Sequence, residues 1–179
     1  MSGFTLGGGY SLLTGAYGLG GDNLLSAQVV TADGQLVTAN AEEHPDLLWG
    51  LRGGGGNFGV VVSLEYRLYP LTTVLSGLLL YPLEQARAVL RRFNEFIATA
   101  PDELTIPSGF LQAPGGQTVL FLLPTYCGPL EAGEQALAPL RTFGKLLVDQ
   151  VQPVTYDTLI HSNPHSAPCS VTYAGLVIN

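Results

Sequence analysis

The strongest constraint on this chain is the run Arg52-Gly53-Gly54-Gly55-Gly56-Asn57-Phe58-Gly59, which joins a short apolar turn, Asp46 to Leu51, to a β-rich segment from Val60 to Leu68. Strict alternation over that segment predicts a strand with Val60, Val62, Leu64, Tyr66 and Leu68 on one face and Val61, Ser63, Glu65 and Arg67 on the other. The glycines therefore feed a sheet directly. Glycine turns backbone N–H groups toward an anion and lets a ligand approach with no Cβ in the way. Asn57 tolerates left-handed backbone and can bond its own main chain. A flexible spacer carries Ser and charge on both sides, and this run does not. Two readings remain: a cradle for an anionic cofactor, or a tight turn between packed elements.

Several familiar chemistries fail on order or spacing. Gly54-x-Gly56-x-x-Gly59 matches the dinucleotide fingerprint formally, but that motif needs a strand before the glycines and a helix after them, and here the order is reversed. Gly144-Lys145 is followed by Leu146, and Pro139 stands where a phosphate loop would have its first glycine. Gly9-Tyr10-Ser11 continues into Leu12-Leu13, so no nucleophile elbow forms. His161, His165 and Cys169 have helical ligand spacing, but Pro164 and Pro168 oppose a helix, and the expectation is a solvated loop without metal. Glu42 and Glu43 beside His44 read as a solvated connection, and Trp49 as core. Tyr10 and Tyr17, flanked by glycines, are candidates either for packing or for lying against a flat ligand.

Composition narrows the partners. The 179 residues are 46% hydrophobic and only 12% charged, enough for one sizeable core or two small ones. A net charge of -7 argues against a nucleic-acid partner, which would require clustered Lys and Arg. The longest apolar stretches, near Val74 to Leu80 and Val119 to Leu123, have strand length, so no membrane span is expected. The amino-terminal residues lack a basic and then apolar leader, and the expectation is a cytoplasmic chain with Cys127 and Cys169 as buried thiols unless the fold pairs them.

Along the chain, Leu25 to Ala32 and Gln35 to Ala39 flank Asp33-Gly34, a hairpin signal. Pro70 closes the strand that follows the glycine run. Beyond it come a strand candidate at Val74 to Tyr81 and an amphipathic helix at Leu83 to Ala98. Two strands, Leu104 to Gln112 and Thr118 to Leu123, and a second helix at Leu130 to Phe143 follow. The order predicts an α+β fold with a boundary near Pro70 to Thr73, dividing residues 1–72 from 73–179. After Val148 periodicity is lost.

A second glycine shell lies at Gly7 to Asn23. Two shells linked by a hairpin suit a long ligand with phosphates and a planar ring. The stretches Gly7-Gly8-Gly9-Tyr10-Ser11-Leu12-Leu13-Thr14, Tyr17-Gly18-Leu19-Gly20-Gly21-Asp22-Asn23, Val29-Val30-Thr31-Ala32-Asp33-Gly34, Asp46-Leu47-Leu48-Trp49 and Arg52 to Val61 together resemble the berberine-bridge-enzyme-like FAD-linked oxidases. They are similar to the second half of that family's FAD domain, of the vanillyl-alcohol-oxidase and p-cresol-methylhydroxylase (PCMH) type. The later region, with Tyr81-Pro82 and the two helices, resembles the start of its antiparallel-sheet substrate domain.

The resemblance implies an FAD enzyme that oxidises an alcohol, sugar or alkaloid-like small molecule with oxygen as acceptor. Carried over residue by residue, Gly7, Gly8, Gly9 and Tyr10 would lie by the flavin, Asp22 and Asn23 would support the adjoining turn, and Gly54, Gly56, Asn57, Gly59, Val60 and Val61 would line the nucleotide half. There are departures. Phe4 stands where a family histidine is expected, Ser11 replaces a glycine, and Thr14-Gly15 replaces serine and arginine. The resemblance contains neither the first FAD subdomain nor the region of the catalytic tyrosine. No catalytic residue is therefore assigned, and the chain is expected to be one piece of such an oxidase that meets the missing parts of its fold or associates with itself. The alternative is a non-catalytic α+β remnant or binding module without flavin.

Overall fold

The Asp33-Gly34 dipeptide does what its chemistry dictates. In the computed structural model, which describes residues 2–71 and 73–162, β1 (Leu24–Val30) turns back into β2 (Leu36–Ala39) with Val30 opposite Leu36 and Ala27 opposite Ala39. Gly34 takes the turn at φ 79°, where a Cβ would be strained. The Thr31 hydroxyl donates to the Asp33 carboxylate and holds its pKa below the ordinary value, with the Gln35 N–H adding to the effect.

β3 (Val60–Tyr66) pairs with the other side of β1, giving the antiparallel order β2-β1-β3. Its register corrects the simple alternation. Val61 faces Val29, yet the next partner of Gln28 is Ser63, so Val62 is an extra residue, a β-bulge that reverses the phase of everything after it. As a result Val61, Leu64 and Tyr66 turn toward the core, while Val60 and Val62 stay 67% and 57% exposed.

The buried centre of this first unit is Leu24, Ala27, Val29, Ala39, Leu48 and Leu51. Short helices close it: α1 (Ser2–Leu6), α2 (Thr14–Tyr17) and α3 (Pro45–Leu51). Pro45 sits at the first turn of α3, where its missing N–H costs nothing, and Asp46 favours the positive helix end. The Tyr66 hydroxyl donates to Thr5 Oγ1 at 2.8 Å and ties α1 to the sheet.

The chain divides at Pro70 and Leu71 into two compact units. In the second, what sequence alternation reads as single strands comes as broken pairs: β4 (Thr73–Ser76) with β5 (Leu79–Pro82), β6 (Leu104–Thr105) with β7 (Ser108–Gln112), β8 (Thr118–Leu122) with β9 (Thr125–Tyr126), and β10 (Val148–Asp149) with β11 (Gln152–Thr155). The two resulting sheets run in the same order, β10-β5-β8-β7 and β11-β4-β9-β6. All four breaks fall at one level, marked by Gly77, Pro107, Pro124 and Gln150, so the layer is one antiparallel sheet bent across its middle. At the bend a Cβ on Gly77 would come within 2.1 Å of the Gln150 carbonyl oxygen.

Helix α4 (Ala86–Ile97) lays Ala86 and Val89 on this sheet, and α5 (Leu130–Leu137) buries Leu137 before Pro139 tightens the chain into a 3-10 turn at Ala138–Thr142. Leu75, Leu79, Tyr81, Leu120 and Leu122 form the floor of the core. Tyr81 is fully buried, and its hydroxyl donates to the Leu140 carbonyl. Arg141 bridges Glu134 at 2.9 Å and Asp149 at 2.7 Å. His161 sits in α6 (Tyr156–Ser162) rather than in a loop. His165 and Cys169 lie outside the described residues, among which no His, Cys, Asp and Glu group could hold a metal. Among the same residues no helix is long and apolar enough to cross a membrane.

Candidate functional site

The two glycine shells meet in the first unit. After α1 the chain turns through Gly8 (φ 100°) and Gly9 (φ 81°), and the later glycines dock back on it: Gly20 N–H donates to the Gly9 carbonyl at 2.8 Å and Gly21 N–H to the Gly8 carbonyl at 2.9 Å. The Phe4 ring seals this crossing, since a Cβ at either Gly9 or Gly20 would come 2.9 Å from its Cε1. Asp22 Oδ2 accepts the Leu19 N–H at 2.8 Å, and Asn23 Nδ2 donates to the carbonyls of Tyr17 and Leu19 at 2.7 and 3.0 Å. Both side chains thus shape the 17–23 loop. Tyr17 stacks on Tyr69 at 4.3 Å and is accounted for by packing, whereas Tyr10 is 62% exposed.

The tetraglycine run lies against this loop. A Cβ on Gly53 would approach Gly8 Cα at 3.9 Å, and one on Gly21 would meet Arg52 Cα at 3.2 Å. Phe58 folds its ring over Gly50 and Gly54, leaving 2.9 and 2.5 Å for a Cβ there, and Asn57 Nδ2 donates to the Gly54 carbonyl at 2.8 Å. At Gly59 (φ 139°) the backbone passes so near β1 that a Cβ would lie 2.4 Å from the Val30 carbonyl oxygen. Gly8, Gly55 and Gly56 have no atom near a would-be Cβ and present bare backbone on the open side.

Between the shells is a half-open cleft of about 450 Å³ lined by Asp22, Trp49, Arg52 and Phe58, with Gly50, Gly53 and Gly54 as its floor. Of the residues singled out in the sequence, Asp22 and Gly54 line it, with Gly8 against its Gly53 edge. Gly7 and Gly9 lie in the turn behind, Gly56 and Asn57 in the adjoining 3-10 turn, and Val60 and Val61 in β3, Val61 half-buried in the core. Trp49, Arg52 and Phe58 are additions, and Trp49 corrects the expectation of a core residue: it is 79% exposed. The signal was in the helix period. Leu48 and Leu51, three apart, take the buried stripe of α3, which turns Trp49 outward. Arg52 Nη2 donates to the Leu24 carbonyl at 2.7 Å, and among the described residues no carboxylate pairs with it.

A mixed α/β chain with antiparallel sheets, its two glycine loops packed on one another beside the smaller sheet, has the architecture of the PCMH-type FAD oxidases. Its structure superimposes on 6-hydroxy-D-nicotine oxidase from Arthrobacter nicotinovorans with a TM-score of 0.79 at 30% identity, covering 91% of this chain and 37% of that one. It matches a chitooligosaccharide oxidase with a TM-score of 0.75, also at 30% identity, over 96% and 36% of the two chains. In sequence it is 37% identical over 164 residues to the FAD-linked oxidoreductase aurO of Gibberella zeae, across 87% of this chain and 31% of that protein. No protein-family model matches the chain. It spans about a third of the length of the curated relatives it matches. By sequence and fold together, the chain is related, over that part of their length, to the berberine-bridge-enzyme-like FAD-linked oxidases.

Proposed function

We propose that this chain supplies part of the FAD-holding structure of an FAD-dependent oxidoreductase, an oxidase of an alcohol, sugar or alkaloid-like small molecule with oxygen as electron acceptor. One observation carries the reading: two glycine loops far apart in sequence come together, Gly8 against Gly53 and Gly21 against Arg52, around an open cleft. Bare backbone at Gly8, Gly55 and Gly56 is what a phosphate-bearing ligand needs for close approach. In this reading Gly7, Gly8, Gly9 and Tyr10 face the cofactor from one side, Gly54, Gly56, Asn57, Gly59, Val60 and Val61 hold it from the other, and Asp22 and Asn23 fix the loop between. Bound there, FAD supplies two-electron redox chemistry, while the chain's own residues bind it, orient it and exclude water. Residues 1–72 would be the second subdomain of the FAD domain, and 73–179 the beginning of the substrate domain. The similar structures include a hydroxynicotine oxidase and a chitooligosaccharide oxidase, which supports a small-molecule substrate.

Exposed Val62 and Leu68 support a partner over this unit, either further parts of such a fold or a second copy. The test of the cofactor is direct. The purified chain is incubated with FAD, desalted and scanned for visible absorbance and melting temperature. Retained flavin and a raised melting temperature are expected, with about 2.7 kcal/mol of added stability at a hundredfold excess over Kd. A colourless protein whose melting ignores FAD would overturn the reading in favour of a module without flavin.

A further inference from the structure

The cleft has a composition of its own. Trp49 is the chain's single tryptophan and stands 79% exposed at its wall, Phe58 is 41% exposed, and Arg52 carries a positive charge with no carboxylate partner among the described residues of an acidic protein. An indole left in water, in one cleft with a guanidinium that holds the Leu24 carbonyl but no carboxylate, is costly as packing and apt as recognition, because an indole stacks on heteroaromatic rings and the free donors of a guanidinium can reach phosphate. About 450 Å³ has room for a mononucleotide. Neither a bare apolar ligand nor a cation fits: the first brings no counter-charge to Arg52, and Asp22, the only carboxylate in the lining, already accepts the Leu19 N–H.

We infer that this cleft binds the phosphorylated aromatic end of a nucleotide, with Trp49 stacking on the ring and Arg52 pairing with the phosphate. The inference rests on the FAD reading and narrows it, for FAD carries two such ends and the cleft takes one. Trp49 and Arg52 then act as ligand-binding residues in addition to the glycines, and Asp22 lowers affinity for the anion while shaping the loop.

The single indole makes the test simple. In a ¹H–¹⁵N correlation spectrum of the full chain its side-chain N–H gives one resonance, followed on titration with AMP and, separately, with FMN. A saturable shift with AMP assigns the adenine end, and one with FMN the flavin end; either supports the site. Arg52→Gln should raise the apparent Kd on the order of tenfold, as expected for a lost charge-assisted contact. Asp22→Asn should lower it a few-fold by removing like charge, and far-ultraviolet circular dichroism checks that each variant folds. If FAD raises the melting temperature of the chain but moves the indole resonance not at all, the FAD reading stands and this assignment falls. If neither FAD stabilises the chain nor any nucleotide moves the resonance, both fall.

Discussion

The two units put glycine to different uses. In the second, glycine inside the fold marks places with no room: a Cβ would meet the Gln150 carbonyl at 2.1 Å from Gly77, Gln85 Oε1 at 2.5 Å from Gly144 and Tyr126 Cδ1 at 2.7 Å from Gly133, while the open Gly115 and Gly116 serve the turn between β7 and β8 at φ 100° and 81°. In the first, Gly8, Gly55 and Gly56 meet nothing, and their missing side chains leave backbone bare next to Gly53 and Gly54 of the cleft. A glycine needed for packing reports on stability, whereas an open one without a positive φ, Gly56, leaves its backbone free to be approached. The first unit mixes the two, since Gly59 is jammed against β1 only a few residues from the open Gly56.

The largest test of the contrast lies in the second unit's core. Tyr81→Ala empties a fully buried position under α4 and the Ala138–Thr142 turn, and should cost about 4 kcal/mol in denaturant unfolding. Gly77→Ala forces the bend of the sheet apart against backbone that cannot rotate away, and should cost about 3 kcal/mol by the same assay.

Alkaline pH probes the same core without a cavity. Burial, reinforced by the nearby Asp149 charge, pushes the Tyr81 pKa up to about 12 from an ordinary 10. Between those values the unfolded chain releases the phenol proton while the folded one keeps it, so stability present below pH 10 is lost as the pH climbs to 12, by roughly 2–3 kcal/mol. Tyr81→Phe should flatten that slope in unfolding curves taken across the range. The smallest effect on folding belongs to the first unit. Gly56→Ala adds a methyl in open space without a positive φ, so stability should stay within about 0.5 kcal/mol of the parent, while any FAD-induced rise in melting temperature shrinks. A Gly56→Ala variant that unfolds would put Gly56 with the packing glycines and erase the contrast.

Much of this was legible in the sequence because local chemistry decides it: Asp33-Gly34 made the hairpin, Pro45 opened α3, and the mixed order of strands and helices gave an α+β fold. What escaped depends on partners far along the chain. Alternation placed Val60 with Leu64, but pairing with β1 inserts Val62 as a bulge and separates them. The segments Val74 to Tyr81 and Leu104 to Gln112 look continuous until Gly77 and Pro107 line up with Pro124 and Gln150 at a common bend. In the candidate site the glycine shells were visible, and the structure packs Gly53 against Gly8 and Gly21 against Arg52. Trp49 and Arg52 were hidden because a short apolar helix conceals which of its faces is buried until the sheet beneath it is known.

The central claim is that the open glycines of the first unit belong to a flavin site. Calorimetric melting of the full chain with and without FAD tests it most directly. The account predicts a transition that moves upward with FAD concentration and moves less in Gly56→Ala; a melting profile identical at every FAD concentration would contradict it.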